Sequence, residues 1–435
     1  MKKFYTIMLS LSIGGTMSVF AAWNGDTEVW TKGDGSQNAP FLIENEAQLA
    51  HLQSTVTGGE FYEGKFFRLT ADLDMGGKAF APIGLYDDYT TSDNPEMVKN
   101  SKVFLGTFDG DFHTIDNLSV HPHDSELGGA ALFAVSYPQT TIRNLTIGAA
   151  SVIEGAAYDN VGAIVGFGVG GTIENCRNMG TVKGGSFCTG GIVGVAEHMS
   201  ISGCVNNGTI TGHSYSGGIA GQAYDSKVTN CYSTGKIDCP QAFMAAGIVG
   251  WALESSSLSN CYAVGAVDAA PGSSWLAGKS PVCAELENST ASNCYYVEAL
   301  TGCKPITPQT GVEAITEADL KSAAMADKLN AGLDTPAWGA VTDNFPMLLW
   351  ETGHSGSISG TIADNSLSIT RNGDCLIVDC ATGQTVTLTV FDTAGRTITS
   401  SQATCGDAIH VPAKGTCIVV LIAADGTKAT QKFIF

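Results

Sequence analysis

Positive charge is scarce in this chain of 435 residues, which has 22 lysines and arginines against 42 aspartates and glutamates. The formal net charge is −20, and so acidic a chain repels the phosphate backbone of nucleic acids. Nucleic acid is therefore not an expected partner. Only 15% of the residues are charged whereas glycine numbers 53, which is typical of a chain with many turns and buried strands.

Long apolar segments are lacking beyond the first 22 residues. Lys2 and Lys3 precede an uncharged apolar stretch at 4–20, and small residues follow it. This order predicts a secretory signal peptide over residues 1–22, with a single membrane anchor as the alternative. The first cysteine is Cys176, so no lipid-attachment cysteine lies at the cleavage point. We expect a secreted or outer-surface protein without a transmembrane segment once the signal is removed.

Familiar catalytic motifs are also missing. The sequence has no His-Glu-x-x-His string, no Gly-x-Ser-x-Gly elbow, no phosphate-binding loop and no cysteine set with zinc spacing. We therefore assign no catalytic, cofactor-binding or metal-binding residue, and we expect no cofactor. An active site assembled from neighbouring turns of a repeat would leave no linear motif, so enzymatic activity stays an open alternative.

A repeat dominates residues 161–294. A glycine-flanked apolar run recurs as GAIVG at 162–166, GGIVG at 190–194, GGIAG at 217–221, AGIVG at 246–250 and WLAG at 275–278. The closing glycines, at 166, 194, 221, 250 and 278, are 28, 27, 29 and 28 residues apart. Each run is followed by a cysteine, usually after asparagine: Cys176, Cys204, Cys231, Cys261 and Cys294. A fixed period of this length indicates a repeat architecture.

Each repeat has the composition of short strands and turns, and no window has a helical apolar period. At roughly 3.3 Å per residue, one repeat suits a circuit of three short strands with corners between them. Stacked circuits would form a β-solenoid in which equivalent residues lie about 4.8 Å apart. We expect two inward ladders, one of Ile192, Ile219 and Ile248 and one of the five repeat cysteines.

The short spacing of Ile173 and Cys176 predicts a corner at Asn175. Residues three apart on one flat strand cannot both point inward, and asparagine tolerates the left-handed backbone of a corner. Leucine occupies the cysteine position in two earlier repeats, at Leu118 and Leu145. The position therefore requires an apolar side chain rather than thiol chemistry.

Segments on either side of the repeats are expected to cover the ends of the solenoid. We predict an N-terminal cap and first rungs over 23–122, with a helix at 44–56 and a loop at 86–101. The repeat solenoid follows at 123–300, and a C-terminal cap at 301–351. That cap is predicted to contain a helix over 317–329, N-capped by Thr316, and bulky apolar cover from Trp338 and residues 345–350.

The pattern GGIVG…NC…G resembles the GLUG-motif repeats of bacterial surface proteins. The lead-in GDGSQNAPFLIENEAQLAHLQ…YEGKFFRLTADLDM…GTFDGDFHTIDNL resembles the segment that precedes such repeats in adhesin-like proteins and in the non-catalytic part of immunoglobulin-A-type metallopeptidases. The resemblance covers about residues 31–350, and Trp275 departs from it in the fifth repeat. It implies an exported all-β protein, a right-handed parallel β-helix. It does not imply peptidase activity, because the metallopeptidases carry a His-Glu-x-x-His string that is missing here.

The last part of the chain changes pattern. Residues 352–365 are rich in glycine and serine and are expected to form a linker. Over 366–435, alternation such as Val386, Leu388 and Val390 predicts a small antiparallel β-sandwich. The string VTLTVFDTAGRTI…IHVPAKGTCIVVLIAADGTKATQKFIF resembles the C-terminal sorting domains of type IX secretion, although Cys417 stands where that family commonly has an aromatic residue. The resemblance implies contact with the secretion machinery; an accessory sandwich is the alternative.

The 13 cysteines would ordinarily suggest disulfides in an exported protein. We expect the five ladder cysteines to be reduced, because adjacent rungs are closer than the Cα spacing of a relaxed bridge, about 5.5–6 Å. Pairing is left open within two further sets: Cys188, Cys239, Cys283 and Cys303 in the solenoid, and Cys375, Cys380, Cys405 and Cys417 in the sandwich.

A few polar residues are candidates for a metal-binding or catalytic site, and each also has a plainer structural interpretation. His121 and His123, with Asp124 and Glu126, could bind a metal or form a solvated loop. Asp72 and Asp74 could form a catalytic carboxylate pair on one face. Asp109-Gly110-Asp111 lacks the ligand spacing of a calcium loop, so we interpret it as a turn. Arg143 could sit near a groove, but an exposed cation is the plainer interpretation.

Three classes of function remain. We favour a non-enzymatic adhesion protein that binds glycans or surface proteins on the flank of the solenoid. A carbohydrate-active β-helix, a lyase or a hydrolase, predicts at least three carboxylates, or carboxylates with a base, converging in a cleft. A structural spacer of a surface assembly predicts neither a cleft nor exposed aromatic residues beside the strands.

Overall fold

The computed structural model describes residues 23–85, 102–121, 129–156, 159–269, 278–305 and 307–353, and the strands of the C-terminal region together with Asp407. The chain divides into two compact units, Met1–Leu348 and Leu349–Phe435. The predicted signal peptide, the loop at 86–101 and linker residues 354–365 lie outside the described residues. Thr352 and Gly353, expected in the linker, end a short helix, Leu349–Gly353.

The first unit is a parallel β-solenoid of about eight turns, as the repeat predicts. Two sheets of nine strands run along its whole length. Sheet 1 consists of Phe41–Ile43, Phe66–Leu69, Thr107–Asp109, Thr141–Arg143, Gly171–Glu174, Met199–Ser202, Lys227–Thr229, Ser257–Ser259 and Thr290–Ser292. Sheet 2 consists of Leu73–Asp74, Thr114–Asp116, Thr146–Ile147, Arg177–Asn178, Val205–Asn206, Tyr232–Ser233, Tyr262–Ala263, Cys294–Tyr296 and Val312–Ala314.

Three shorter sheets of six strands complete each full turn. Sheet 3 consists of Ser119–Val120, Val152–Glu154, Thr181–Lys183, Thr209–Thr211, Ile237–Cys239 and Val267–Ala269. Sheet 4 consists of Gly129–Ala130, Asn160–Gly162, Cys188–Gly190, Tyr215–Gly217, Met244–Ala246 and Gly278–Ser280. Sheet 5 consists of Phe133–Ser136, Val165–Gly168, Val193–Glu197, Ala220–Tyr224, Val249–Leu253 and Cys283–Glu287.

A full turn therefore has five short strands, and the expectation of three was wrong. The asparagine corner separates sheet 1 from sheet 2, and Asn175 has the expected left-handed backbone, with φ of 53°. The same corner is formed by Asn117, Asn144, Asn230, Asn260 and Asn293, all with φ between 49° and 55°, and by Gly203. A second break at the glycine-flanked run separates sheet 4 from sheet 5. Each break divides one expected strand into two.

Both inward ladders are confirmed. Ile192, Ile219 and Ile248 are fully buried, and so are all five ladder cysteines. Leu118 and Leu145, which stand at the cysteine position in earlier rungs, are 0% and 1% exposed. Neighbouring thiols also bond to the backbone, since the amide of Cys204 donates to the Cys231 sulfur at 3.4 Å. The ladder is thus apolar packing with weak hydrogen bonds to sulfur.

A buried polar ladder, not foreseen from the sequence, runs beside the cysteines in sheet 2. Asn178, Asn206 and Ser233 are completely buried. The Asn178 Nδ2 donates to Asn206 Oδ1 at 2.9 Å, and the Asn206 Nδ2 donates to Ser233 Oγ at 3.3 Å. Each side-chain amide also donates to a carbonyl two residues later in its own rung, Asn178 to Gly180 at 3.3 Å and Asn206 to Gly208 at 3.2 Å. Buried amides are satisfied in this way only when the rungs are in register.

The register of the fifth repeat differs from the expectation. Strand pairing aligns Met244 with Gly278 and Val249 with Cys283, so Gly250 is opposite Ala284 rather than Gly278. The WLAG run is thus not the fifth copy of the apolar motif, and SPVCA at 280–284 takes that place. Trp275 lies outside the described residues. Eight residues separate the strands of sheet 3 and sheet 4 in this rung, against four in the rung before, and this insertion conceals the true register from a search for glycines.

The N-terminal end is covered by the predicted helix, Glu46–Thr57. Asn45 caps it, because its side chain accepts the backbone N–H of Gln48 at 3.0 Å. Leu49, Leu52 and Val56 are fully buried on its inner face. The helix thus removes the apolar end of the first rungs from water.

Past the last rung, Val312–Ala314 extends sheet 2, and the short helix Glu298–Thr301 precedes it. The helix expected over 317–329 is two helices, Glu317–Leu320 and Ala323–Leu329. Thr316 is the predicted N-cap, accepting the Asp319 amide at 3.0 Å. The strands Trp338–Gly339 and Met347–Leu348 form an antiparallel pair.

Trp338 packs on the side of the solenoid, against two tyrosines of sheet 2. The rings of Tyr232 and Tyr262 are stacked, with centroids 4.8 Å apart. The Trp338 ring lies 5.9 Å and 5.5 Å from them. The Tyr262 hydroxyl donates to the Pro346 carbonyl at 2.7 Å. The segment after the solenoid is therefore fastened along this face.

The second unit contains a pair of antiparallel sheets. The first has the order Ser368–Asn372, Cys375–Asp379, Ala408–His410, and the second the order Thr397–Thr404, Thr385–Asp392, Thr416–Ala423, Lys428–Ile434. The predicted alternation is confirmed, because Val386, Leu388 and Val390 are 1% exposed or less.

Candidate functional site

The aspartates weighed as a catalytic pair bond to separate neighbours in the next rung. Asp72 Oδ1 accepts the backbone N–H of Thr114 at 2.8 Å and lies 3.1 Å from His113 Nδ1. Asp74 Oδ1 accepts the Asn117 side-chain amide at 2.7 Å. Both carboxylates therefore join successive rungs, which is a structural role.

Arg143 is a half-exposed cation that is held in an ion pair. Its Nη2 and Nε atoms lie 2.9 Å and 3.0 Å from Asp109 Oδ2, on the adjacent strand of sheet 1. Asp109 is 8% exposed and also accepts the Asp111 amide at 3.0 Å, which confirms the predicted turn. Asp109 thus supports both the turn and the pairing of two rungs.

The histidine pair is only partly described. His121 Nε2 lies 2.8 Å from Ser119 Oγ, whereas His123, Asp124 and Glu126 lie outside the described residues. Among the residues that the structure describes, no group of three or more histidines, cysteines or acidic residues is arranged to hold a metal ion.

The nine cysteines of the first unit are free thiols, and all except Cys303 are buried. Burial raises the pKa of the Cys239 thiol to about 11 and that of Cys283 to about 12. Burial also raises the pKa of Cys176 and Cys231 in the ladder, and hydrogen bonds with Cys204 add to it. These four thiols stay protonated at neutral pH, which makes them poor nucleophiles.

A groove lies where the chain turns from sheet 3 to sheet 4 on three successive rungs. We call it the turn groove; it is lined by 184–186, 211–213, Asp238, Pro240 and Gln241 and encloses about 510 Å³. Gly184 and Gly212 form the bottom of the groove, and their backbone lies directly against buried side chains of sheet 4. A Cβ on Gly212 would be 2.3 Å from the Ser216 hydroxyl, and one on Gly184 would be closer still to Thr189.

The polar groups of the turn groove come from different rungs. His213 Nε2 lies 3.1 Å from Gln241 Oε1, which joins two adjacent turns. Asp238 Oδ2 accepts the Lys236 ammonium at 2.8 Å, and this hydrogen bond raises the pKa of Lys236. The groove therefore presents an imidazole, an amide and a carboxylate, which are suited to hydroxyl groups.

Two exposed phenylalanines flank the turn groove. Phe187 follows Ser186 and Phe243 lies two residues after Gln241, and each is 42% exposed. Pairing of Cys188 with Tyr215 and of Tyr215 with Met244 places Phe187, Ser214 and Phe243 at equivalent positions of three rungs. The His213 ring is 6.4 Å from that of Phe243 and perpendicular to it. In the sequence this site is visible only as residues that occupy the same position in successive repeats.

A second cleft, of about 660 Å³, lies at the end of sheet 2 and includes Glu298, Glu313, Glu317, Asp319 and Lys328 among its lining residues. Two of its four carboxylates have partners within their own helix. The Thr316 hydroxyl donates to Asp319 at 2.7 Å, and Glu317 pairs with Lys321 at 2.7 Å. Glu298 and Glu313 come from separate elements and face the same cleft.

Taken together, these observations define a parallel β-helix repeat protein with a groove on its flank. None of the helices that the structure describes is long and apolar enough to be a membrane span. The family model of the GLUG motif matches residues 212–238, which contain part of the turn groove. The chain is thus a β-helix repeat protein that contains a GLUG motif.

Two curated proteins are similar to parts of the chain. Halomucin of Haloquadratum walsbyi is 30% identical over 176 residues, which is 38% of this chain and 2% of halomucin. A protein of Evansella cellulosilytica, provisionally named a Gly-rich membrane protein, is 30% identical over 154 residues, or 34% of this chain and 16% of that protein. The chain therefore spans only a small part of the length of these relatives.

A solved structure has the same fold. It is the crystal structure of a Bacteroides ovatus protein with the provisional name immunoglobulin A1 protease. The TM-score is 0.54 at 23% sequence identity, over 74% of this chain and 95% of that one. At this identity the likeness extends to the fold alone.

Proposed function

We propose that this chain is an exported adhesion protein of the bacterial surface, without enzymatic activity, that binds its partner in the turn groove. The observation that carries the proposal is the groove itself, whose polar groups come from successive rungs and lie beside two phenylalanines, Phe187 and Phe243, that are each 42% exposed. Exposed aromatic side chains beside convergent polar groups are typical of binding sites. A purely structural spacer has no need of either feature.

The relatives support a surface location. One is named halomucin and another a membrane protein, and both are similar to this chain over about a third of its length. The apolar stretch at 4–20 supports export through a signal peptide. Residues 366–435 would then act as the sorting domain. Deleting them should leave the protein inside the producing cell, and unchanged secretion would show that they are an accessory domain.

The test is an array of glycans and extracellular-matrix proteins probed with the chain lacking residues 1–22, with release of products followed in parallel. We expect binding that is weakened by Phe187→Ala and by Phe243→Ala. Met179→Ala is the matched control, since Met179 is also 42% exposed but lies between sheet 2 and sheet 3, whereas Phe187 and Phe243 lie at the turn from sheet 3 to sheet 4. Absence of binding to every ligand would favour the spacer, and released products would contradict the non-enzymatic assignment.

A glycan-cleaving enzyme is the second candidate, and the cleft at the end of sheet 2 favours it. Glu298 and Glu313 would be its acid and base, because the other two carboxylates are held by Thr316 and Lys321. Glu298→Gln and Glu313→Gln should then abolish any product release, whereas Asp327→Asn, outside the cleft, should not. Release that persists in both variants would exclude this cleft as the active site.

A further inference from the structure

The spacing of the two flanking phenylalanines is set by the repeat. Phe187 and Phe243 occupy the same position two rungs apart, with Ser214 between them. At about 4.8 Å per rung, their Cα atoms are about 9.6 Å apart along the solenoid axis. Ser214 is small and buried, and its hydroxyl donates to the Ser186 carbonyl. The surface therefore offers one aromatic ring, a gap of one rung, and a second ring.

The chemistry between these rings suits sugar hydroxyls. His213 and Gln241 are exposed at the gap, and Asp238 lies half-buried beside them. Imidazole, amide and carboxylate groups supply both donors and acceptors of hydrogen bonds, as hydroxyls require. A phenyl ring offers a flat apolar face for the C–H face of a pyranose ring. A groove with both features matches a carbohydrate better than an apolar peptide.

The two-rung spacing selects one kind of linkage. In a β-1,4-linked chain each pyranose advances the polymer by nearly the distance between adjacent rungs, about 4.8 Å, and successive rings are turned over. The same ring face is thus presented at every second residue, in step with Phe187 and Phe243. Chains with α-1,4 or β-1,3 linkages curve, so they do not keep this straight two-residue repeat.

Charge restricts the ligand further. The net charge of −20 repels polyanionic glycans. The nearby ammonium of Lys236 is already paired with Asp238, so it is not available to bind an anionic group of the ligand. We infer that the turn groove binds an uncharged, linear β-1,4-linked glycan parallel to the solenoid axis, with alternate sugar rings on Phe187 and Phe243. This inference rests on the proposed function, because it names the ligand class of the same site.

The test is calorimetric titration of the full chain with oligosaccharides of defined linkage. Cellohexaose and chitohexaose, both β-1,4-linked, should bind, whereas maltohexaose, laminarihexaose and heparin should not. Phe187→Ala and Phe243→Ala should each weaken binding about 2- to 12-fold, the loss expected for one aromatic stacking contact. Met179→Ala should bind like the wild type, and an unchanged circular dichroism spectrum of each variant excludes misfolding as the cause.

Oligosaccharide length gives a sharper readout. Cellotriose is the shortest chain that reaches both rings, so it should bind more tightly than cellobiose, and Phe243→Ala should remove that advantage. Equal binding of maltohexaose and cellohexaose, or phenylalanine variants that bind like Met179→Ala, would overturn the inference. If no β-1,4-linked glycan binds but another array ligand binds in a way that depends on Phe187 and Phe243, the inference fails and the proposed function stands. If the protein binds no ligand at all, both are refuted.

Discussion

Replacing Asn206 with alanine tests whether the buried amide ladder holds the rungs in register. The fully buried side chain serves three neighbours: the Asn178 amide at 2.9 Å, the Gly208 carbonyl at 3.2 Å and the Ser233 hydroxyl at 3.3 Å. Each would lose one partner in a place that water does not reach. At about 1 kcal/mol for each lost hydrogen bond, the free energy of unfolding should fall by about 3 kcal/mol.

Asn207→Ala is the matched control. Asn207 is the next residue, is exposed, and has a side-chain bond to Thr234 Oγ1 at 2.8 Å. Its replacement should change the free energy of unfolding by less than about 0.5 kcal/mol, as is usual on a surface.

The assay is urea denaturation followed by circular dichroism, combined with hydrogen exchange of residues 200–240, because repeat proteins can open locally. Faster exchange should appear in the rungs on both sides of Asn206 and not around the helix Glu46–Thr57. If Asn206→Ala and Asn207→Ala destabilise the protein equally, the ladder does not hold the rungs together.

Three further outcomes are expected. At the corner, Asn260→Ala should cost about 1–2 kcal/mol, because φ is 55° there, and Asn260→Gly should cost less, as Gly203 already forms the same corner; equal losses in denaturation would contradict this. Trp338→Ala should lower stability by about 3–5 kcal/mol and speed hydrogen exchange at 338–348, and unchanged exchange would show that the Tyr232–Tyr262 contact does not fasten this segment. The free energy of unfolding should fall as pH rises above 9.0, the ordinary thiol pKa. Above that pH the unfolded chain loses thiol protons, whereas folded Cys239 and Cys283 keep theirs up to about pH 11 and 12. Denaturation curves at pH 8 and pH 10 check the sign, and equal stability at the two pH values would contradict it.

The solenoid was predictable because its constraints recur at a fixed period. Ile173 and Cys176 required a corner at Asn175, and the left-handed backbone there follows from the two side chains sharing one core. The N-terminal helix was also predictable, since Leu49, Leu52 and Val56 recur at helical spacing over an otherwise open end. These features depend on neighbours in the sequence or on equivalent residues one repeat away.

The parts that were missed depend on contacts between unequal repeats. The glycine of WLAG keeps the period and so predicts the fifth copy there, whereas the pairing of Val249 with Cys283 places that copy at 280–284. The position of Trp338 on Tyr262 joins residues 76 positions apart and leaves no periodic signal. The turn groove combines Gly184, His213 and Asp238 from three rungs, so no single repeat contains its pattern.

The asparagine corner also bears on how such a chain can change length. The asparagine corners all have φ between 49° and 55°, so neighbouring copies join with nearly the same backbone geometry. Duplication or loss of one whole copy in the gene would therefore lengthen or shorten the molecule by about 4.8 Å without creating a new kind of junction. Adding or removing an even number of copies would keep a ligand site that uses every second rung in step with the rest of the solenoid. Adding or removing an odd number of copies would shift it by one rung.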